Sequence, residues 1–343
     1  MSTFVDTQWD PLRDITDLRG YVVVVTGGSS GIGFATVSLL ARRGAKVYFT
    51  TRFESKARKT KETLQNTHPD IDPNNIEWLL LDLFDLKSID AATNKLKMKE
   101  RKLDILINNA AVSTSSTELV ADRWEQHMAA NHAGPFLFVN RVLPLLKNAL
   151  KERDSDVRII NLSSIAHVSM LPQTFKFTFD SAACLSNPVP SHPWQWRWFG
   201  RFIFGFDIVR YAVSKAAVVL FTKELQQQLD EQDLPIITIA VHPGEVATEG
   251  VMAINNAFIK TLARISFLTP EQGSATPIFA ATAKEVRQNA GKYKGKFLVP
   301  FGRVEAPNTV VEDDGQVKGL WKNTTREINK RLVSEGLPLL DMW

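Results

Sequence analysis

The sequence predicts an α/β fold: a single domain built on a doubly wound parallel sheet with helices on both faces. Three observations predict it. The run Tyr21-Val-Val-Val-Val25 places four valines in succession, as a strand buried on both faces requires, instead of alternating with polar residues. Further apolar runs at 46–51, 76–81, 104–107, 156–162 and 234–241 are separated by stretches of helical periodicity, the pattern of strand, crossover helix and parallel strand. No internal repeat and no long linker divides the 343 residues.

Taken in order, residues 1–17 form a polar lead-in. The first strand runs directly into Thr26-Gly-Gly-Ser-Ser-Gly-Ile-Gly33 and then into a helical pattern from Phe34 to Arg43. Gly27, Gly31 and Gly33 permit a tight turn, a close backbone approach to a ligand and close helix packing, and the free amides of the helix N-terminus would face a pyrophosphate. A glycine triplet is weak by itself; its place between strand and helix carries the reading. The second strand ends at Thr51-Arg52, about 20 residues beyond the glycines, where an acid would favour a ribose without a 2′-phosphate. A guanidinium suits that phosphate, so NADP(H) is favoured over NAD(H), with a solvated arginine as the competing reading. Lys56 and Arg58 either assist or are ordinary helix-surface charges.

Helices are expected at 54–66 and 88–99. Asp82-Leu83 and Asn108-Asn-Ala-Ala111 stand at strand ends, where they would meet adenine and the centre of the cofactor, although Asp and Asn also commonly end strands. A long helical region spans 120–150 and contains Asn131, and the strand at 156–162 ends in Ser163-Ser164. Tyr211 and Lys215 lie four residues apart at the start of a helix over 211–230, so phenol and ammonium share a face. Such a cation would draw the phenol's pKa from about 10 toward neutrality, though the spacing alone is commonly an accident. After the strand at 234–241, His242-Pro-Gly-Glu-Val-Ala-Thr248 turns back toward the cofactor and leaves Val246 and Thr248 to contact the nicotinamide carboxamide or phosphate; a simple turn competes with that reading. A helix at 270–283, a short strand at 296–299 and a polar, partly helical tail complete the chain.

Composition narrows the function. With 44% hydrophobic residues the chain can bury a substantial core, and its net charge of +4 is too small and too local to point to nucleic acid. The basic run Lys95–Lys102 reads as a solvated surface. One cysteine, Cys184, excludes an intrachain disulfide, suits a reducing compartment and reads as a packed thiol. The first ten residues lack the apolar core of a secretory signal, and no uninterrupted apolar run approaches the roughly 18 residues of a membrane span. The expected location is cytoplasmic, with peripheral membrane contact left open. No ligand cluster suggests a metal.

Assembled, these positions resemble the classical short-chain dehydrogenase/reductase family over about residues 18–300. Thr26-Gly27-x-x-x-Gly31-Ile32-Gly33 matches the family's cofactor loop, Asn108-Asn109-Ala110 its sheet-stabilising segment and Tyr211-x-x-x-Lys215 its active-site signature. Ala111 stands where the family usually has glycine. The resemblance implies a Rossmann fold and a tetrad of Asn131, Ser164, Tyr211 and Lys215. In that tetrad Tyr211 exchanges the proton, Ser164 orients the reacting oxygen, Lys215 lowers the phenol's pKa and binds ribose hydroxyls, and Asn131 holds a water leading to solvent. It further implies cofactor contacts from Gly27, Ser29, Ser30, Gly31, Ile32, Gly33, Arg52, Asp82, Leu83, Asn109, Ala110, Tyr211, Lys215, Pro243, Gly244, Val246 and Thr248, and a metal-free reaction.

Tyr211 follows Ser164 by 47 residues, a distance most family members cover with a short loop. The insertion at about 170–208 is rich in aromatics, among them Phe175, Phe177, Phe179, Trp194, Trp196, Trp198, Phe204 and Phe206. Three readings stand: a roof over the substrate pocket, a cover over the helix face through which relatives oligomerise, and, ranked after these, membrane contact aided by Arg197 and Arg201. Residues 249–268, with Val251, Met252, Phe258, Ile259 and Leu262, occupy the family's substrate loop and look apolar. The expected function is therefore an NADP(H)-dependent oxidoreductase acting on a bulky hydrophobic ketone or secondary alcohol, as a monomer or dimer rather than a tetramer. Alternatives are a redox-inactive cyclase, isomerase or scaffold of the same fold, and a membrane-associated lipid or retinoid-type dehydrogenase. Residues 301–343 are expected as a C-terminal extension.

Overall fold

The four valines of the first strand divide between two separate cores. Val22 and Val24 pack with Tyr48, Leu106 and Phe136 on one side, Val23 and Val25 with Phe49, Ile107 and Ile160 on the other. A continuous apolar run is what such a two-sided strand needs, because period-2 alternation then separates two apolar faces rather than an apolar from a polar one. The structure, a computed structural model, describes residues 10–120, 123–172, 174–194, 196, 204–246 and 267–343.

The strands are β1 (Val22–Val25), β2 (Lys46–Thr51), β3 (Ile76–Leu80), β4 (Ile105–Asn108), β5 (Arg158–Leu162), β6 (Ile237–Val241), β7 (Phe297–Val299) and β8 (Arg303–Glu305). They form one sheet in the order β3-β2-β1-β4-β5-β6-β7-β8, parallel except for the β7–β8 pair. The main helices are α1 (Gly31–Arg42), α2 (Glu54–Thr67), α3 (Leu86–Lys99), α4 (Gly134–Ala149), α5 (Ile208–Asp230), α6 (Pro270–Thr282) and α7 (Asp314–Ser334). This is a single-domain Rossmann fold. The strand order reverses between β1 and β4, so the carboxyl ends of those strands open a crevice where ligands of such sheets bind.

Three expectations about the elements change. The helix expected over 120–150 begins only at Gln126, opens into a π turn over Ala129–Ala133 and becomes regular from Gly134. Pro135 supplies the reason: it has no N–H to offer the carbonyl four residues back, on Asn131. Second, the antiparallel edge strand β8 was not anticipated; at three residues with a charge at each end it is too short to show a period. Third, the tail expected to be polar and partly helical carries the 21-residue α7 and packs on the core. α7 lies on α5, and Trp321 and Trp343 pack with Phe136 and Phe221 at ring separations of 4.6–6.4 Å. Arg141 ties the last residues down by donating to Leu339 O at 2.8 Å, while pairing with Asp90 at 3.1 Å.

The insertion is fastened to α7. Phe179 is fully buried; its N–H donates to Gln316 Oε1 at 2.6 Å and its carbonyl accepts from Asn323 Nδ2 at 3.0 Å. Leu171, Cys184, Leu185 and Val189 join the same core, and burial pushes the Cys184 thiol up to about 12, as expected of a packed rather than a reactive cysteine. Trp194 remains exposed, and Arg197, Trp198 and Arg201 lie outside the described residues. Among the described residues no helix is long and apolar enough to cross a membrane. Phe179→Ala removes the buried anchor of this segment and is expected to cost about 3–5 kcal/mol in urea unfolding; a loss under about 1 kcal/mol would show that the clasp to α7 does not depend on it.

Candidate active site

The crevice is a cavity of about 690 Å³ whose wall is built from the ends of β1 to β6 and the head of α5. Gly27, Ser29, Ser30, Gly31, Ile32 and Gly33 line it from the turn between β1 and α1, Asp82 and Leu83 from the end of β3, Asn109 and Ala110 from the end of β4, and Pro243, Gly244 and Val246 from the turn after β6. Thr248 and the apolar residues Val251, Met252, Phe258, Ile259 and Leu262 lie outside the described residues. The glycine turn is tight at Gly33: a Cβ there would stand 2.4 Å from the Gly27 carbonyl oxygen and 2.5 Å from Asn109 Nδ2, closer than any side chain is tolerated. Asn109 Nδ2 donates to Thr26 O at 2.8 Å, and Ala110 N–H to Thr26 Oγ1 at 3.0 Å, which stitches the end of β4 to the glycine turn.

Arg52 and Lys56 line the same cavity from β2 and the start of α2. Arg52 is exposed, sits over the Phe53 ring at 5.6 Å and makes no ion pair among the described residues. Arg58, the other candidate helper, is instead paired with Glu54 at 2.6 Å. A ribose phosphate would therefore find one uncommitted guanidinium and one ammonium.

At the other end of the cavity stand Ser164, Tyr211 and Lys215. α5 starts at Ile208 with Asp207 as its N-cap, whose Oδ1 accepts from Arg210 N–H at 3.1 Å, and this sets Tyr211 in the first turn. Lys215 Nζ lies 5.6 Å from the centre of the Tyr211 ring and donates to Leu162 O at 2.8 Å. Burial dominates both groups. It pushes the phenol up to about 12, with Glu245 adding to the rise and a hydrogen bond from Ser164 opposing it, and it lowers the Lys215 ammonium to about 7. In the protein by itself the phenol thus moves away from neutrality, not toward it.

Asn131 is not in the cavity wall. It is buried behind it, with Oδ1 accepting from Val112 N–H at 2.7 Å and Nδ2 donating to Ser214 Oγ at 3.0 Å. Ser214 Oγ in turn donates to Tyr211 O at 2.7 Å, so the π turn and the first turn of α5 are locked together.

A bracket that no motif announces holds the head of α5. Glu125 Oε1 meets His127 Nδ1 at 2.6 Å, both buried; His127 Nε2 accepts from Thr114 N–H at 3.1 Å; and Thr114 O accepts from Asp207 N–H at 3.0 Å. The His127 ring meets the Tyr211 ring edge-on at 6.2 Å. Two backbone groups carry the middle of this chain, and backbone groups leave no mark in a sequence. From the insertion, Phe206 packs edge-on against Tyr211 at 5.4 Å, next to Phe204, and both line the cavity with Met170.

The shifted lysine makes stability depend on pH. Between about pH 7 and pH 10 the unfolded chain carries a proton on Lys215 that the folded one lacks, so the free protein is expected to gain stability as pH rises through that window. Above about pH 10 the sign reverses, because the unfolded chain loses the Tyr211 proton while the folded one keeps it to about pH 12. Lys215→Met should flatten the first limb in urea titrations at several pH values; an unchanged slope would refute the burial assignment.

The geometry finds its counterpart in known proteins. The family model described as short chain dehydrogenase matches residues 21–177. The short chain dehydrogenase/reductase dpchH of Colletotrichum higginsianum is 36% identical over 96% of this chain and 79% of its own length. Mouse retinol dehydrogenase 12 is 34% identical over 80% of this chain and 78% of its own. Among solved structures, the NADPH-bound carbonyl reductase from chicken fatty liver superposes with a TM-score of 0.57 at 23% identity, over 84% of this chain and all of that one, a likeness of fold. A glycine turn, a reversed strand order and a tyrosine and lysine one turn apart thus occur in a chain that shares more than a third of its residues with a named member over nearly its whole length: the chain belongs to the short-chain dehydrogenase/reductase family of oxidoreductases.

Proposed function

We propose that the protein is an NADP(H)-dependent oxidoreductase that moves a hydride between the nicotinamide and a bulky, largely apolar ketone or secondary alcohol, with Tyr211 as general acid and base. The observation that carries this reading is that Ser164, Tyr211 and Lys215 line the same cavity as the glycine turn and Arg52. The wall suits a dinucleotide: a turn with no room for a side chain at Gly33, amides at the head of α1, and a basic pair at the end of β2. When bound, the nicotinamide supplies or takes the hydride.

Ser164 orients the reacting oxygen. Tyr211 gives it a proton in reduction and takes one back in oxidation, and a neutral phenol in a buried wall is well suited to donate. Lys215, beside the phenol, binds ribose hydroxyls. Asn131, whose carbonyl Pro135 leaves without the donor of a regular helix, holds a water that links Lys215 to solvent. Arg52 pairs with the 2′-phosphate, a preference in keeping with the NADPH-bound neighbour. Phe204, Phe206 and Met170 favour a large apolar substrate, as does the likeness to a retinol dehydrogenase.

Tyr211→Phe is expected to lower kcat at least about hundredfold while NADPH still binds; nicotinamide absorbance follows the reaction, and full turnover would overturn the role. Arg52→Ala should weaken NADPH binding about tenfold or more and leave NADH binding unchanged. Equal loss for both would remove the phosphate argument.

A further inference from the structure

Glu245 is an acid at the reacting end of the cavity for which the proposed chemistry has no use. Two described carboxylates line that cavity, Asp82 and Glu245. They are on opposite sides of the point where the strand order reverses: Asp82 follows β3, where its Oδ1 already accepts from Phe84 N–H at 3.0 Å, and Glu245 follows β6, beside Tyr211.

The backbone around Glu245 is fixed. Gly244 adopts a φ of +94°, and a Cβ there would stand 2.6 Å from Leu268 Cδ1, so this turn needs glycine. Glu245 O accepts from Leu268 N–H at 2.7 Å, and Val246 bridges to Leu268. The side chain is left 62% exposed, and the basic side chain beside it, His242, stands with Nε2 at 3.9 Å, beyond hydrogen-bond distance, and is kept neutral by its burial. Among the described residues nothing donates a hydrogen bond to the carboxylate. The same cavity is lined by the apolar Val112, Met170, Phe204, Phe206 and Ile208. The charge of Glu245 adds to the rise in the Tyr211 pKa.

A carboxylate with unused acceptor capacity discriminates by hydrogen bonding far better than an apolar pocket does by size, because a ligand that lacks the donor displaces water from the acid and leaves it unpaired. We propose that Glu245 recognises a hydroxyl group on the substrate, so that the enzyme takes a hydroxylated ketone or its diol in preference to the same skeleton without a donor. This rests on the reading of the cavity as an oxidoreductase site, and it replaces a purely hydrophobic substrate with an amphipathic one. The aromatic wall holds the skeleton and Glu245 sets which end faces Tyr211.

The test uses the regioisomeric hydroxyacetophenones and the matching methoxyacetophenones, which keep the oxygen and lose the donor. Kd is measured by calorimetry on the NADP-saturated full chain, and kcat/KM with NADPH, for the wild type, Glu245→Gln and Glu245→Leu. The expected result is that at least one hydroxy isomer binds wild type about tenfold or more tightly than its methyl ether. Glu245→Gln, which still accepts a hydrogen bond, keeps part of that ratio, and Glu245→Leu brings it to about one by losing the hydroxy ligand. The same ratio in wild type and Glu245→Leu, or equal or absent binding of every pair by wild type, overturns the proposal. Tyr211→Phe separates this proposal from the reading beneath it, since it should keep the ligand preference and lose turnover. Preference without turnover in the wild type sinks the oxidoreductase reading alone; turnover without preference sinks the role of Glu245 alone.

Discussion

The stitch between β1 and β4 is the constraint on which the rest of the site depends. Asn109 reaches across to the carbonyl of Thr26, and the hydroxyl of Thr26 accepts from the amide of Ala110, so two strands that part at their carboxyl ends stay in register beyond the last ladder bond. Gly33 closes against the same amide side chain. The turn, the head of α1 and the end of β4 thereby form one rigid edge, and a crevice with one rigid edge can present backbone amides at fixed positions. β5 and β6 extend that edge toward Ser164 and His242, and α5 brings Tyr211 and Lys215 over it.

At the reacting end the governing term is desolvation. Sequence spacing puts an ammonium beside a phenol, and charge alone would favour the phenolate. The structure buries both, and the loss of water outweighs the attraction: the phenol keeps its proton and the ammonium is close to losing its own near neutral pH. Lys215 spends its hydrogen bond on Leu162 O. The free protein thus holds the Tyr211 phenol neutral and protonated.

Much of this was legible in the chain. Four valines followed by spaced glycines mark β1, the turn and α1, and a serine pair, a tyrosine and a lysine in order mark residues that line the same cavity. What was hidden has physical causes. Pro135 stands in plain view, yet whether a proline kinks, ends or widens a helix depends on what packs beside it, and the π turn followed. Asn131 sits behind the wall because its amide is saturated by Val112 and Ser214, a choice made by tertiary contacts. The bracket from Glu125 to Asp207 passes through backbone atoms of Thr114. α7 looked like a polar tail because a helix that covers only part of a core needs only a narrow apolar stripe, here Val317, Leu320, Ile328 and Leu332.

The clasp between the insertion and α7 also sets an order of events. The Phe179 N–H donates to Gln316 and its carbonyl accepts from Asn323, residues synthesised more than a hundred positions later. A chain leaving the ribosome can therefore assemble the glycine turn and the strands beside it long before Phe179 has its partners on α7. The glycine turn and its strand are local in sequence, whereas the anchorage of the insertion on α7 is a long-range closure.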